Sequence, residues 1–186
     1  MRNNNELLKL GYSAGLNVCF RLKKSVDFET GIQYSNKGYQ SKFKDAITQH
    51  PDPTNPTKEK MIYNYHYLDV PLRAIFTFGK QKIRFLTSVG LSTNFFIQET
   101  ITSVAVYSAR TEKKTSSTKF DYNKINISPM LSIGIDLTLN RLMNLRIEPT
   151  FRYGLLNIIN APVSAFLYSS GLNMSYNFKI NSLRKK

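Results

Sequence analysis

The sequence predicts an all-β chain: an up-and-down antiparallel meander of seven strands that rolls into a small barrel. Three observations carry this. Apolar and small polar residues alternate with period two in segment after segment, no segment offers a helical period, and the connections are alternately short and long. A chain of 186 residues is long enough for one such domain.

The strands follow in order. GYSAGLNVCFRL sets Tyr12, Ala14, Leu16, Val18, Phe20 and Leu22 against Gly11, Ser13, Gly15, Asn17, Cys19 and Arg21. VDFETGIQYS sets Val26, Phe28, Ile32 and Tyr34 against Asp27, Glu29, Gly31 and Gln33. In YHYLDVPLRAIFTF, Leu68, Val70, Leu72, Ala74, Phe76 and Phe78 oppose Asp69, Pro71 and Arg73. Pro71 cannot donate to the ladder, so a bulge or local bend is expected there. KIRFLTSVGLSTNFFI alternates Ile83, Phe85, Val89, Leu91, Phe95 and Ile97 with Arg84, Ser88, Gly90, Ser92 and Asn94. KINISPMLSIGIDLTL and LRIEPTFRYGL continue the pattern, with Asp136, Arg146, Glu148 and Arg152 in their polar rows and Pro129 and Pro149 in the apolar ones. AFLYSSGLNMSYNF closes it, with Leu172, Met174, Tyr176 and Phe178 against Gly171, Asn173, Ser175 and Asn177.

Short turns (LKKS, GKQ, NRLMN) alternate with long polar stretches at about 39–62 and 99–123, and an intermediate one spans 157–165. PDPTNPT, residues 51–57, reads as a loop apex.

Alternation alone leaves open which row is wet. A soluble ligand-binding barrel turns its apolar row inward and a charged row to water. Here the polar rows hold Gly, Ser, Asn and Thr, which suit the crowded inside of a narrow barrel. The apolar rows run with few polar breaks and long enough for tilted membrane strands, which need roughly 9–11 residues. The expectation is apolar residues outward to lipid and polar residues inward. The polar rows then carry Arg21, Arg73, Arg84, Arg146 and Arg152 against Asp27, Glu29, Asp69, Asp136 and Glu148. Equal numbers of bases and acids, with every base an arginine, predict a neutral, ion-paired lumen.

The chain nevertheless has a net charge of +14. Lys23, Lys24, Lys80, Lys82, Arg141, Lys179, Arg184, Lys185 and Lys186 gather at the short-turn end and the C-terminus without an acid among them. That rim suits anionic headgroups or simple solvation.

Seven strands are one short of an even number. Single-chain bacterial barrels have even counts from eight upward, with short turns on the periplasmic side. The expectation is that one upward strand and a signal peptide precede this chain. Residues 1–10 are then a loop remnant, 11–180 the barrel and 181–186 a basic periplasmic tail.

The pieces GYSAGLNVCFRL, FETGIQYSNKGYQ, YLDVPLRAIFTF, FLTSVGLSTNFF, SIGIDLTLN, EPTFRYGLLNI and GLNMSYNF resemble the small outer-membrane β-barrel domain widespread in Bacteroidota, often called PorT-like. The resemblance spans residues 11–178 and lacks only the family's first strand, of GxKxGxN character. It implies an eight-stranded, OmpA- and OmpX-like outer-membrane barrel. It carries no enzymatic motif, and it links some members to protein secretion and gliding.

Catalytic candidates are few. His50 and His66 are the only histidines and read as loop and rim residues rather than metal ligands. Cys19 reads as a small lumen filler, and Asp27 and Glu29 as ion-pair partners rather than an acid–base couple. No phosphate-binding loop, dinucleotide fingerprint or nucleophile elbow is present. No catalytic, metal or cofactor site is expected, and no cofactor. The functional expectation is an integral outer-membrane barrel with a plugged lumen, acting as scaffold, surface-interaction or secretion component. Its expected partners are outer-membrane lipid and a protein bound through loops 39–62 and 99–123, with no nucleic acid and no small-molecule substrate. The alternatives are a soluble basic barrel binding lipid or nucleic acid and, third, a narrow channel.

Overall fold

Strands adjacent in sequence pair with one another, so the chain builds one antiparallel sheet in an up-and-down order. This is a computed structural model describing residues 6–46, 55–79, 82–118, 122–140, 143–157 and 167–178. The strands are β1 (Glu6–Leu8), β2 (Tyr12–Lys23), β3 (Val26–Ser41), β4 (Lys44–Asp45), β5 (Lys58–Phe78), β6 (Ile83–Val106), β7 (Thr111–Thr118), β8 (Ile125–Thr138), β9 (Met143–Tyr153) and β10 (Tyr168–Phe178). Seven are staves, in the order β2–β3–β5–β6–β8–β9–β10. The other three lengthen them at the loop end: β1 prolongs β2 along β3, β4 pairs β5, and β7 pairs β6 above β8.

The sheet is apolar outside and polar inside. On β8, Leu131 and Ile133 are 59% and 68% exposed while Ser132 between them is 4% exposed. The same alternation runs along β5, where Leu68 and Leu72 are open and Asp69 and Arg73 are buried. An apolar surface of this extent is a lipid surface, because water would penalise every outward leucine and phenylalanine. The soluble alternative, with the apolar rows inward, is thereby excluded. The buried apolar cluster among the described residues is an aromatic lid at the loop end: Tyr65, Tyr67 and Tyr122, joined by Tyr39, Tyr63, Phe96 and Leu167.

Two corrections to the sequence reading concern length. The polar stretch 99–123 is largely strand, since β6 runs on to Val106 before β7 returns beside it, and 39–62 is strand at both ends, where β3 runs to Ser41 and β5 begins at Lys58. At about 3.4 Å per residue, the 24 residues of β6 reach far beyond a bilayer core. These ends carry polar residues on both faces and therefore lack a clean apolar period, although Glu99 and Val104 are buried. Their β-formers (Thr, Val, Ile, Tyr) and cross-strand pairs such as Thr102–Thr115, 3.0 Å between hydroxyl oxygens, hold them extended. Likewise residues 6–8, expected as loop, are strand. Lys80, Arg141, the tail 179–186, His50 and most of 157–165 lie outside the described residues.

The irregularity expected at Pro71 as a bulge or local bend takes the form of a lapse in the β3–β5 ladder, without a bulge. Pro71 stands in regular register opposite Ser92 of β6, and the β3–β5 register is the same on either side of it, Thr30 opposite Leu72 and Gln33 opposite Asp69. Pairing lapses only at Gly31 and Ile32. Residues of an antiparallel strand bond alternately to one neighbour and the other, so a missing donor costs the ladder on a single side. Pro149 behaves likewise, regular against Leu172 while the β8–β9 pairing lapses at Ile133 and Gly134. Pro129 stands regularly opposite Leu91, and β8–β9 pairing begins just past it, at Met130–Arg152. The β5–β6 bulge lies higher: the register shifts between His66 and Tyr67, leaving Ile97 as the extra residue on β6. Ile97 and Gln98 both face out, and Glu99 turns inward.

Candidate functional site: the charged lumen

Register builds the centre of the lumen. Arg73 and Glu29 are Cα partners across β5 and β3, and Arg73 Nε donates to Glu29 Oε1 at 2.9 Å. Arg73 also reaches across the barrel to β9. Its two terminal nitrogens donate to Glu148 Oε2 at 2.9 Å and Oε1 at 2.7 Å, a bidentate fork. Ser132 donates to Glu148 Oε2 at 2.6 Å and touches Ser88 at 2.7 Å. Glu29 accepts further hydrogen bonds from Arg146, 3.0 Å, and Asn17, 3.0 Å. Arg73, Glu29 and Glu148 are at most 2% exposed, so these charges are removed from water and paired with one another.

Glycines make the room. Gly90 is the Cα partner of Arg73, and a Cβ there would crowd the Leu72 carbonyl oxygen and lie 2.6 Å from Arg73 Cβ. At Gly134 a Cβ would likewise crowd the Ile147 carbonyl oxygen and lie 2.7 Å from Glu148 Cβ. Small beside large is how a narrow barrel fills.

A second layer lies toward the loop end around Asp69. It accepts from Arg152 at 3.0 Å and from Asn94 at 2.7 Å, and pairs with Lys37 at 2.9 Å. Arg152 also donates to Gln33 at 3.2 Å, and Ser128 to Asn94 at 2.6 Å. Toward the turn end Arg84 pairs with Asp136, which also accepts from Asn144 at 3.3 Å. Arg21 and Asp27 pair at 3.2 Å on the rim, with the Arg21 side chain 56% exposed.

The structure thus gathers Glu29, Asp69, Arg73, Arg146, Glu148 and Arg152 into linked layers, keeps Arg84–Asp136 as a separate pair, and leaves Arg21–Asp27 at the edge. The expectation of arginine alone is corrected by Lys37, buried beside Asp69. Lys37 sits on the inward period of β3 and was missed because that strand runs to Ser41, past the predicted end. Glu99 is the other inward charge the pattern did not reach, since the bulge at Ile97 changes the phase. Tyr122 donates to Glu99 Oε2 at 2.5 Å. Burial pushes the Tyr122 phenol upward, and the hydrogen bond to Glu99 adds to it.

Cys19 is exposed on β2, an edge strand, rather than enclosed. His66 faces outward, 2.5 Å from the Tyr34 hydroxyl and 3.1 Å from that of Thr100. Among the described residues no three His, Cys, Asp or Glu side chains gather in a metal-binding group. The carboxylates of the two central layers are each held by arginines, which is the chemistry of a filled, ion-paired plug.

No curated protein and no solved structure matches the chain significantly. Residues 1–160 match a family model described as an outer membrane protein beta-barrel domain. With its apolar staves outward and its charges paired inside, the chain belongs to that outer-membrane β-barrel family and is a protein of the outer membrane.

Proposed function

We propose that this protein is a non-enzymatic barrel that acts as a membrane scaffold for a surface-interaction or secretion-associated assembly of the PorT-like kind. The observation that supports this most is the division of the molecule into a plugged lumen and a long external ribbon. Arg73 joins opposite walls through Glu29 and Glu148, so the interior is filled by its own side chains. Above it β5, β6 and β7 form a polar β-ribbon with its edge strand, TEKKTSST, exposed from Thr111 to Ser117. A plug with a projecting ribbon serves protein contact rather than solute passage.

Two measurements test the reading. A photo-crosslinking residue at Thr115, in cells with intact outer membranes, is expected to give a discrete protein adduct, and one at Leu131 is not. In planar bilayers the purified protein is expected to stay electrically silent. A steady conductance, or an unmodified Thr115 probe, counts against it.

A further inference from the structure

The lumen is neutral as a whole but not layer by layer. Lys37 and Glu99 add one charge of each sign at different places: Glu99 is held by Tyr122 of the aromatic lid, while Lys37 turns to Asp69. Lys37 Nζ and Arg152 Nη1 meet on the same oxygen, Asp69 Oδ2, at 2.9 and 3.0 Å. The other carboxylate oxygen accepts from Asn94. Glu29 and Glu148 are already matched by Arg73 and Arg146. The Asp69 layer therefore holds two buried cations against one anion.

That excess faces a cavity. A space of about 250 Å³ lies beside the layer, with Lys9, Ser13, Ser35, Lys37, Thr150 and Arg152 on its wall. Among the described residues no carboxylate lines it. Ser35 and Lys37 stand on the inward row of β3, and Thr150 and Arg152 on that of β9. Those strands are placed by their pairing with β5 and β8, so the charged wall belongs to the lumen.

Two observations define what the cavity accepts. The Ser35 hydroxyl is buried, 1% exposed, and has no hydrogen-bond partner among the described residues. A buried hydroxyl of that kind calls for an acceptor in the space it borders. The second observation is charge. Lys9 Nζ donates to Asn36 Oδ1 and has no acidic partner among the described side chains, which brings a third cation to the wall. A cleft lined by one sign of charge with low-dielectric walls concentrates the opposite sign. A cation is repelled there, and a neutral solute leaves the excess unbalanced.

Shape narrows the anion. Arg152 offers a planar fork, Lys37 a compact ammonium and Ser35 a single O–H, from two facing strands. Such a set suits an oxyanion with several acceptor oxygens pointing in different directions. At about 250 Å³ the cavity falls just below the roughly 300 Å³ at which small-molecule sites begin, which leaves room for a phosphate and a small substituent.

We propose that this cavity binds a phosphate group, held by Lys37, Arg152 and the Ser35 hydroxyl with Lys9 beside them. The bound anion balances the Asp69 layer. Free phosphate, alone or on a small solute, and the phosphate of a lipid headgroup share this chemistry. The site opens no pore, because Arg73 and Glu148 still cross the lumen. It rests on β3 and β9 rather than on the ribbon, so its failure leaves the scaffold reading untouched.

The test is thermal unfolding of the full chain, folded in an uncharged maltoside detergent, against rising inorganic phosphate, with chloride as the ionic-strength control. The midpoint is expected to rise saturably with phosphate and not with chloride. Ser35→Ala is expected to weaken the apparent phosphate affinity about tenfold, and Lys37→Met to abolish the saturable rise while Arg152 still pairs Asp69. Lys82→Gln, at an exposed cation of the turn end, is expected to leave the titration unchanged. A second arm uses a short-chain phosphatidic acid at fixed detergent concentration. Stabilisation by that lipid and not by inorganic phosphate, lost in Lys37→Met, assigns the phosphate to a headgroup. No saturable rise with either probe, or an equal rise in Ser35→Ala and Lys37→Met, overturns the proposal.

Discussion

Arg73 and Glu148 lie on strands that do not pair, yet meet across the lumen through two hydrogen bonds of 2.9 and 2.7 Å. The pair ties opposite walls together. Its worth depends on both members being present, because desolvating one charge is tolerable only beside the other. Arg73→Met alone is expected to cost about 3–5 kcal/mol in a reversible urea titration of folded protein in lipid. Arg73→Met with Glu148→Leu is expected to recover much of that loss. Additive losses would show that the two side chains are not coupled.

The lipid face supplies the second test. Leu131 is outward near the middle of β8, and Leu131→Arg is expected to destabilise the folded barrel by about 2–4 kcal/mol. Ser116→Arg, on the exposed ribbon, is expected to change it by less than about 0.5 kcal/mol. Equal effects at the two positions would contradict the assignment of lipid and water.

Gly90 tests the packing of the plug. Gly90→Val puts a branched side chain against Leu72 and Arg73, and is expected to cost about 1–3 kcal/mol through overpacking. Gly90→Ala is expected to be destabilising as well, since its Cβ would already meet the Leu72 carbonyl oxygen and the Arg73 Cα, backbone atoms that cannot turn away. Unchanged stability in both variants would show that the ladder yields at this point.

The lid responds to alkaline pH. The Tyr122 phenol has a raised pKa in the folded protein, so its contribution is complete below the ordinary phenol value of about 10 and fades as pH rises through the folded value. Stability is therefore expected to fall above about pH 10, and Tyr122→Phe to flatten that part of the profile. The same variant is expected to cost about 1–3 kcal/mol at neutral pH, by leaving the buried Glu99 one donor short. A profile unchanged by Tyr122→Phe would place the alkaline transition elsewhere.

Much of the fold was legible because period two is a local property. A residue and its second neighbour share a face whatever the sheet does later, so Leu68, Val70 and Leu72 against Asp69 and Arg73 already stated which side carried charge. The composition of the inward rows, small residues with balanced arginine and carboxylate, then stated which side was enclosed. The same locality explains the failures. Phase is lost at the Ile97 bulge, which hid Glu99. Alternation is silent where polar residues stand on both faces, which hid β7 and the long ends of β5 and β6. Pro71 announced an interrupted ladder but not its side or form, because these depend on which neighbour its missing N–H would have faced, and one strand seen alone has no neighbours.

By itself the sequence determined the two faces, the neutrality of the interior and the three hairpins, since these follow from side-chain period and from turns too short to let neighbours part. Only the tertiary structure decided which acid meets which base. Arg73 pairs with Glu29 through register, but with Glu148 only because the sheet curls until β5 and β9 share one lumen. Curvature sums small twists over many strands, and no short stretch of sequence contains it.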